Sequence, residues 1–433
     1  MEMKVVAETS RSKIRQTSPD SLIAALDVGS SKVCCLVAET FENGRIHVLG
    51  MGHRVSRGVA AGTIIDMEET EAAIRAAVDQ AERVADERID SVYLSLTNGR
   101  PTSEVIEEDV AIEGDAVSLD DLERVLMQAA GRVEPSDRRI IHAFPACYSI
   151  DGSAGIKEPQ GMFGERLNVA LHVITARPGP VLNLEACVHR AHLGVDQTVI
   201  SGYAAGLGVL VEDERELGAA VIDIGGGTTS VGVFAKEALV FSDVFSMGGG
   251  LLTGDIAREL LTPLDQAERL KTLYGSALSV ASDNGQFIEV LQMGENENRE
   301  DSYVRLPRTA LTDIIRPRLE EIFMEVRQRL VRSGFDAVSG RRVVLTGGTS
   351  QLPGAPELAE KILGKQVRLG TPQGLTGLAE AARSPVFSVC AGLLHYAVNA
   401  PRELGEESSA PARPQLVAGG GLSKIGGWLR SNF

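Results

Sequence analysis

Asp27 and Asp223 occupy the same place in two copies of one local design. Each closes an apolar run, ALDV at 25–28 and VIDI at 221–224. A turn of small and hydroxyl-bearing residues follows each, GSSK at 29–32 and GGGTT at 225–229, and then a second apolar run. A carboxylate at a strand end can hold a water of Mg²⁺, an ion that keeps several waters and binds through one or two carboxylates. Small residues let backbone N–H groups approach an anion, and Ser and Thr hydroxyls add donors. One Asp-x-Gly turn is an ordinary hairpin feature. Two of them, in opposite halves of the chain, predict a duplicated core with a phosphate-bearing ligand between the copies. SMGGG at 246–250 precedes a helical pattern, and Gly248 and Gly249 there favour an anion at a helix start.

Rigid strands must aim such turns. Residues 22–50 alternate in strand fashion, and 67–85 have helical spacing with Ile74, Ala77, Val78 and Ala81 on one face. A further strand, SVYLSL, follows at 91–96. Strands, helix, then strand predict an α/β class. The pattern changes over 98–178. A helix near 119–131 and strands IIHAFPACYSI and LNVALHVITA, on either side of GIKEPQGMFGER, read there as an inserted α+β subdomain. Helices are expected at 179–193, 263–274 and 309–333, with a strand and turn in VVLTGGTSQLPG at 343–354. The expected organisation has a disordered leader at 1–21 and a first domain made of 22–97, 179–219 and 384–400. The insertion occupies 98–178 and the second domain 220–383, followed by a flexible linker at 401–420 and a separate segment at 421–433.

At 433 residues the chain is long for one core. A net charge of −16 argues against a general nucleic-acid-binding role, which needs a basic face. Five cysteines form no CxxC pair and read as small buried hydrophobes in a reducing cytosol. No apolar run reaches the ~18–20 residues of a membrane span, and the N-terminus lacks a signal-peptide core.

The two hairpins and LTGGTSQLPG at 345–354 follow, in order, the phosphate-1, phosphate-2 and adenosine motifs of the actin-like ATPase superfamily, which the chain resembles. Within it the chain resembles the FtsA family of bacterial cell-division proteins. Carrying segments are GIKEPQGMFGERL in the insertion, VEDERELGAAVIDIGGGTT at 211–229, TDIIRPRLEEIF at 312–323, SPVFSVCAGLLHYA at 384–397 and the tryptophan-bearing C-terminus. The resemblance spans about residues 22–400 and 421–433. It implies an actin-like, duplicated ribonuclease-H-like two-domain fold that binds ATP with Mg²⁺. Asp27 and Asp223 would be the catalytic-centre carboxylates, holding the metal through water. Gly29, Ser30, Ser31 and Lys32 would wrap the terminal phosphates, with Gly225, Gly226, Gly227 and Thr228 as the second cradle. Gly347 and Gly348, with Thr349 and Ser350 nearby, would pass under adenine and ribose, which Glu268 and Lys271 would contact. Taken alone, Glu268 and Lys271 read as a surface i,i+3 ion pair. One departure stands out. Where ATP-hydrolysing relatives carry a water-positioning Glu or Gln, this chain has Ser201 and Gly202, so tight ATP binding with slow hydrolysis is expected.

In the last segment Leu422, Ile425, Leu429 and Phe433, with Trp428 beside them, cover an arc of roughly 140° at 100° per residue. Lys424 and Arg430 lie outside the arc. This is the pattern of an in-plane membrane anchor, worth roughly 4–7 kcal/mol gross before ordering costs. One tail therefore binds weakly and several on a polymer bind additively. The alternative is a terminal helix packed on the body. The resemblance further implies that Arg308, Arg316 and Arg318 near the 309–333 helix receive the C-terminal peptide of the tubulin-like division protein FtsZ; Arg308 alone could equally be a solvated flanking residue. The expected function is an ATP-binding scaffold that polymerises, meets other divisome proteins and tethers the FtsZ ring to the cytoplasmic face of the inner membrane at the division site. A metabolic kinase of the same superfold is the alternative, and a chaperone-type ATPase a third.

Overall fold

The computed structural model describes residues 21–133, 137–279, 285–295 and 302–399. The leader up to residue 20, the 401–420 linker, and Leu422, Lys424, Ile425, Trp428, Leu429, Arg430 and Phe433 lie outside the described residues. The first half runs β1 (Leu22–Val28), β2 (Lys32–Thr40), β3 (Ile46–Val55), a small hairpin of β4 (Val59–Ala60) and β5 (Thr63–Ile64), α1 (Met67–Ala85) and β6 (Ser91–Leu96). Next come β7 (Thr102–Ala111), α2 (Leu119–Arg132), β8 (Arg139–Ile150), β9 (Ser153–Ile156) and β10 (Arg166–Ala176). The chain then continues through α3 (Pro178–Arg190), β11 (Gly194–Ile200), α4 (Ser201–Val209) and α5 (Glu212–Leu217). The second half is β12 (Ala219–Ile224), β13 (Thr229–Ala235), β14 (Ala238–Phe245), α6 (Gly249–Glu259), α7 (Leu264–Tyr274), β15 (Phe287–Leu291) and β16 (Tyr303–Pro307). It ends with α8 (Thr309–Ser333), β17 (Arg342–Thr346), α9 (Ala355–Leu363), β18 (Gln366–Leu369), β19 (Leu375–Thr376) and α10 (Ser388–Asn399).

The two halves repeat one topology. The first sheet has order β11-β6-β1-β2-β3-β19 and the second β14-β13-β12-β17-β18. In each, three antiparallel strands are extended on one side by two parallel ones, β6 and β11 in the first, β17 and β18 in the second, and in the first β19 adds a short parallel pairing at the other edge. β1 and β12 are central strands buried on both faces, so they read as near-continuous apolar runs. Asp27 pairs in register with Cys34, and Asp223 with Ser230, so each aspartate sits one pair from the end of its ladder, beside the turn. α1 starts at Asp66, whose carboxylate accepts from Glu68 N and Glu69 N, and it buries the Ile74, Ala77, Val78 and Ala81 face.

The insertion forms its own antiparallel sheet, β7-β10-β8-β9, covered by α2 and packed around Leu122, Val125, Leu126, Leu167, Val169 and Leu171. Ser118 and Asp121 cap α2 reciprocally. α4 and α10 cross at small residues: a Cβ on Gly392 would stand 1.6 Å from Ala204 O, and one on Gly208 2.3 Å from Ser388 O. The expected return to the first domain at 384 is corrected by the strand pairing. Leu375 and Thr376 already pair with Ile46 and His47 of β3, because the chain leaves β18 at the edge of the second sheet and reaches the first directly.

Candidate functional site

The two glycine and serine turns meet face to face. Gly29 N–H donates to Lys32 C=O at 2.9 Å and Gly225 N–H to Thr228 C=O at 2.9 Å, so each turn is closed by the same bond. Gly226 lies against Ser31 and Gly227 against Ser30. A Cβ on these glycines would stand 2.6 and 2.3 Å from the serine Oγ atoms. Side chains larger than hydrogen are excluded there by the opposite turn.

Behind the turns stand Asp27 and Asp223, both buried. Burial pushes Asp27 above the ordinary carboxylate range, although Ser95 Oγ donates to its Oδ1 at 2.6 Å and Lys32 lies near. Burial first, and then the Asp27 charge, push Asp223 up to about 7, against the pull of Lys32. A buried carboxylate raised by burial and by its neighbour's charge favours a cation beside it. Gly347 closes the site from the adenosine-motif side. It has φ +86°, and a Cβ would stand 2.3 Å from Asp223 Oδ1, so position, contact and conformation all require glycine there.

Several expected contacts are redirected. The Lys32 ammonium donates to Val386 C=O at 2.7 Å and stands 3.6 Å from the centre of the Phe387 ring, bracing the turn from behind. Gly249 and Gly250 form the first turn of α6 instead of preceding it. Their N–H groups donate to Gly225 C=O at 2.9 Å and Gly226 C=O at 2.6 Å. The helix start therefore fixes the carbonyl side of the second turn, and Gly248 is the extended residue before it. Ser350 is buried and donates to Gly347 C=O at 2.7 Å, so its hydroxyl shapes the turn, while Thr349 Oγ1 donates to Gly225 C=O at 3.1 Å. Gly348 has open space on its Cβ side apart from Val386 at 3.7 Å.

Glu268 and Lys271 do form an ion pair, at 2.6 Å, with the Glu268 carboxylate exposed and the lysine end buried. Lys271 is buried and also donates to Thr253 Oγ1 at 2.8 Å and Gly249 C=O at 3.1 Å, which locks α7 to the α6 N-terminus. Three contributors were not anticipated from sequence: Ser95, Thr253 and Phe387. Ser95 carried a readable signal, a polar residue inside the apolar strand SVYLSL. Thr253 and Phe387 act only through tertiary neighbours.

A family model for the cell division protein FtsA matches residues 220–392, and one for the SHS2 domain inserted in FtsA matches 98–175. The cell division protein FtsA of Rhizobium meliloti (strain 1021) is 42% identical over 425 residues, covering 95% of each chain. That of Agrobacterium fabrum is 40% identical over 422 residues, again 95% of each. The chain belongs to the FtsA family. The Escherichia coli K12 FtsA is 33% identical over 419 residues, 95% of this chain and 98% of that one. Among solved structures, a PilM–PilN type IV pilus biogenesis complex superposes with TM-score 0.62 at 19% identity, covering 88% of this chain and all (100%) of that chain. MreB5 of Spiroplasma citri bound to ADP gives TM-score 0.50 at 13% identity, over 87% and 95%. The fold is thus actin-like, with the FtsA-type insertion.

Ser201 and Gly202, in this FtsA-family chain, are packed too closely to orient an attacking water. The Ser201 hydroxyl is buried and bonded to Ser230 Oγ at 2.7 Å, and a Cβ on Gly202 would stand 2.8 Å from Val231 O. The three arginines near α8 differ from one another. Arg318 grips Asp255 at 2.7 Å, with Glu321 beside it, so its charge already has partners. Arg316 pairs with Glu320 at 2.8 Å. Arg308 donates to Tyr274 C=O at 3.0 Å and Gln286 Oε1 at 3.1 Å. Among the described residues no helix is long and apolar enough to cross a membrane.

Proposed function

We propose that this chain binds ATP with Mg²⁺ between its two hairpins, polymerises in that state, and tethers the FtsZ ring to the inner face of the cytoplasmic membrane. The observation that carries the nucleotide assignment is the buried pair Asp27 and Asp223 behind two mutually contacting glycine and serine turns. The donor set suits Mg²⁺, because water-mediated carboxylate ligation is that ion's habit and a dication offsets the charge that burial opposes. When bound, the ion would neutralise phosphate oxygens. The chain's own residues do the rest: the turns offer N–H and hydroxyl donors, and Gly347 keeps the chain close beneath the ligand. MreB5, which shares the fold, is seen with ADP, in line with this assignment. With Ser201 and Gly202 unable to orient water, turnover is slow; steady phosphate release at about one per second or faster would refute that.

The membrane assignment rests on the 421–433 pattern and the partner assignment on Arg308. Membership of a division-protein family disfavours the kinase alternative. The test is co-pelleting of the full chain and of a chain ending at 420 with ATP, Mg²⁺ and anionic vesicles. Only the full chain should pellet, and equal pelleting would overturn the tether. For the partner, Arg308→Glu should abolish binding of the FtsZ C-terminal peptide with the fold intact, and unchanged affinity would remove the assignment.

A further inference from the structure

Beside the two phosphate turns, and touching both, lies a third element that neither turn motif includes. The β4–β5 hairpin has a two-residue tip, Ala61 and Gly62, both left-handed at φ +48° and +75°. This is the geometry of a tight hairpin turn with positive φ at both central positions, in which Ala61 is an uncommon occupant. The tip touches both halves of the molecule. Gly62 N–H donates to Ser30 Oγ of the first turn at 2.9 Å. From the second, a Cβ on Gly227 would stand 2.9 Å from Ala61 Cα, and one on Gly62 2.8 Å from Thr228 Cγ2. Ser246 Oγ, just before α6, reaches Ala61 C=O at 3.5 Å.

Behind the tip is a cavity of about 180 Å³, lined by Val59, Gly62 and Ile64 of the hairpin, by Leu96 and Asn98, and by α3. Asn98 Nδ2 also donates to Thr63 Oγ1, so the hairpin is tied to the root of the insertion. A hairpin packed against both phosphate turns, with space at its back and a bond to the insertion, is placed to respond to whatever the turns bind.

We propose that the Ala61–Gly62 tip is a third phosphate-contacting element. In it the Gly62 N–H passes from Ser30 Oγ to a terminal oxygen of a bound nucleoside triphosphate, and the Thr63–Asn98 bond carries the tip's shift to the insertion. This rests on the nucleotide assignment above. A diphosphate is one phosphoryl group shorter and leaves the Gly62–Ser30 bond in place, so the tip discriminates between the two.

The experiment is calorimetric titration of the full chain with MgATP and MgADP, for the parent and for Gly62→Ala. The added Cβ meets Thr228 and the Thr97 carbonyl in a left-handed backbone, so the tip is displaced. Gly62→Ala should lose about tenfold of the ATP-over-ADP preference while ADP affinity stays within about twofold, the size of one lost charge-assisted hydrogen bond. A folded variant with an unchanged ratio would overturn the proposal. A parent that binds neither nucleotide would overturn the nucleotide assignment instead. If Gly62→Ala does not fold, hydrogen exchange over 56–66 in the parent decides. Slower exchange with MgATP than with MgADP supports the third contact, and equal exchange rejects it.

Discussion

At the scale of single residues, the site is defined by two carboxylates held largely out of water. Asp223 is raised to about 7, so the folded state binds its proton more tightly than the unfolded chain does. The sign follows: stability conferred on the apo protein is highest below pH ~4 and falls as pH rises toward ~7. Asp223→Asn should therefore stabilise the apo protein at pH 8, by an amount on the order of 2–4 kcal/mol, and leave stability unchanged near pH 3.5. Thermal melts at the two pH values check this, and equal shifts at both would contradict it. The same substitution should weaken MgATP binding, measured by titration. Asp27, Asp223 and the glycines of the two turns were legible because their chemistry is local and occurs twice. The directions of Lys32 and Ser350 were not, since each is set by an acceptor, Val386 or Gly347, that only the folded chain presents.

At the scale of elements, small residues decide which surfaces approach. Gly392→Ala at the α4–α10 crossing would place a Cβ 1.6 Å from Ala204 O, and overpacking of that kind costs about 1–3 kcal/mol. Gly254→Ala, in the interior of α6 with nothing within 4 Å of the added carbon, should instead stabilise by about 0.5–1 kcal/mol. Denaturant titrations of the two variants should move in opposite directions, and a loss of stability in both would sink the packing argument. On α8, Arg318→Ala should lower stability through the broken Asp255 contact, read by the same titration. The 67–85 and 309–333 helices were readable from periodicity, as both carry a continuous buried stripe. The return of the chain at β19 was not, because two residues of parallel pairing leave no periodic trace.

At the scale of the whole molecule, the halves are joined twice. α5 leads from the first sheet to the second, and residues 370–374 lead back. The joints lie side by side: Gln373 N–H donates to Gly208 C=O at 2.9 Å, and Arg368 Nη2 to Val209 C=O at 2.9 Å. Arg368 also clasps Glu214 on α5. Burial pushes Glu214 up, but the Arg368 hydrogen bonds and charge outweigh it and hold the carboxyl below its usual range. That contribution is complete above the ordinary carboxylate pKa and is lost as pH falls below it. Arg368→Ala should thus cost about 1–3 kcal/mol at pH 7 and less at pH 3.5, read by melting. Two adjacent crossings act as the pin of a pair of shears. In that image the phosphate turns are the blades. A ligand bound across the two turns would pull on this same pair of joints, the covalent links from one half to the other.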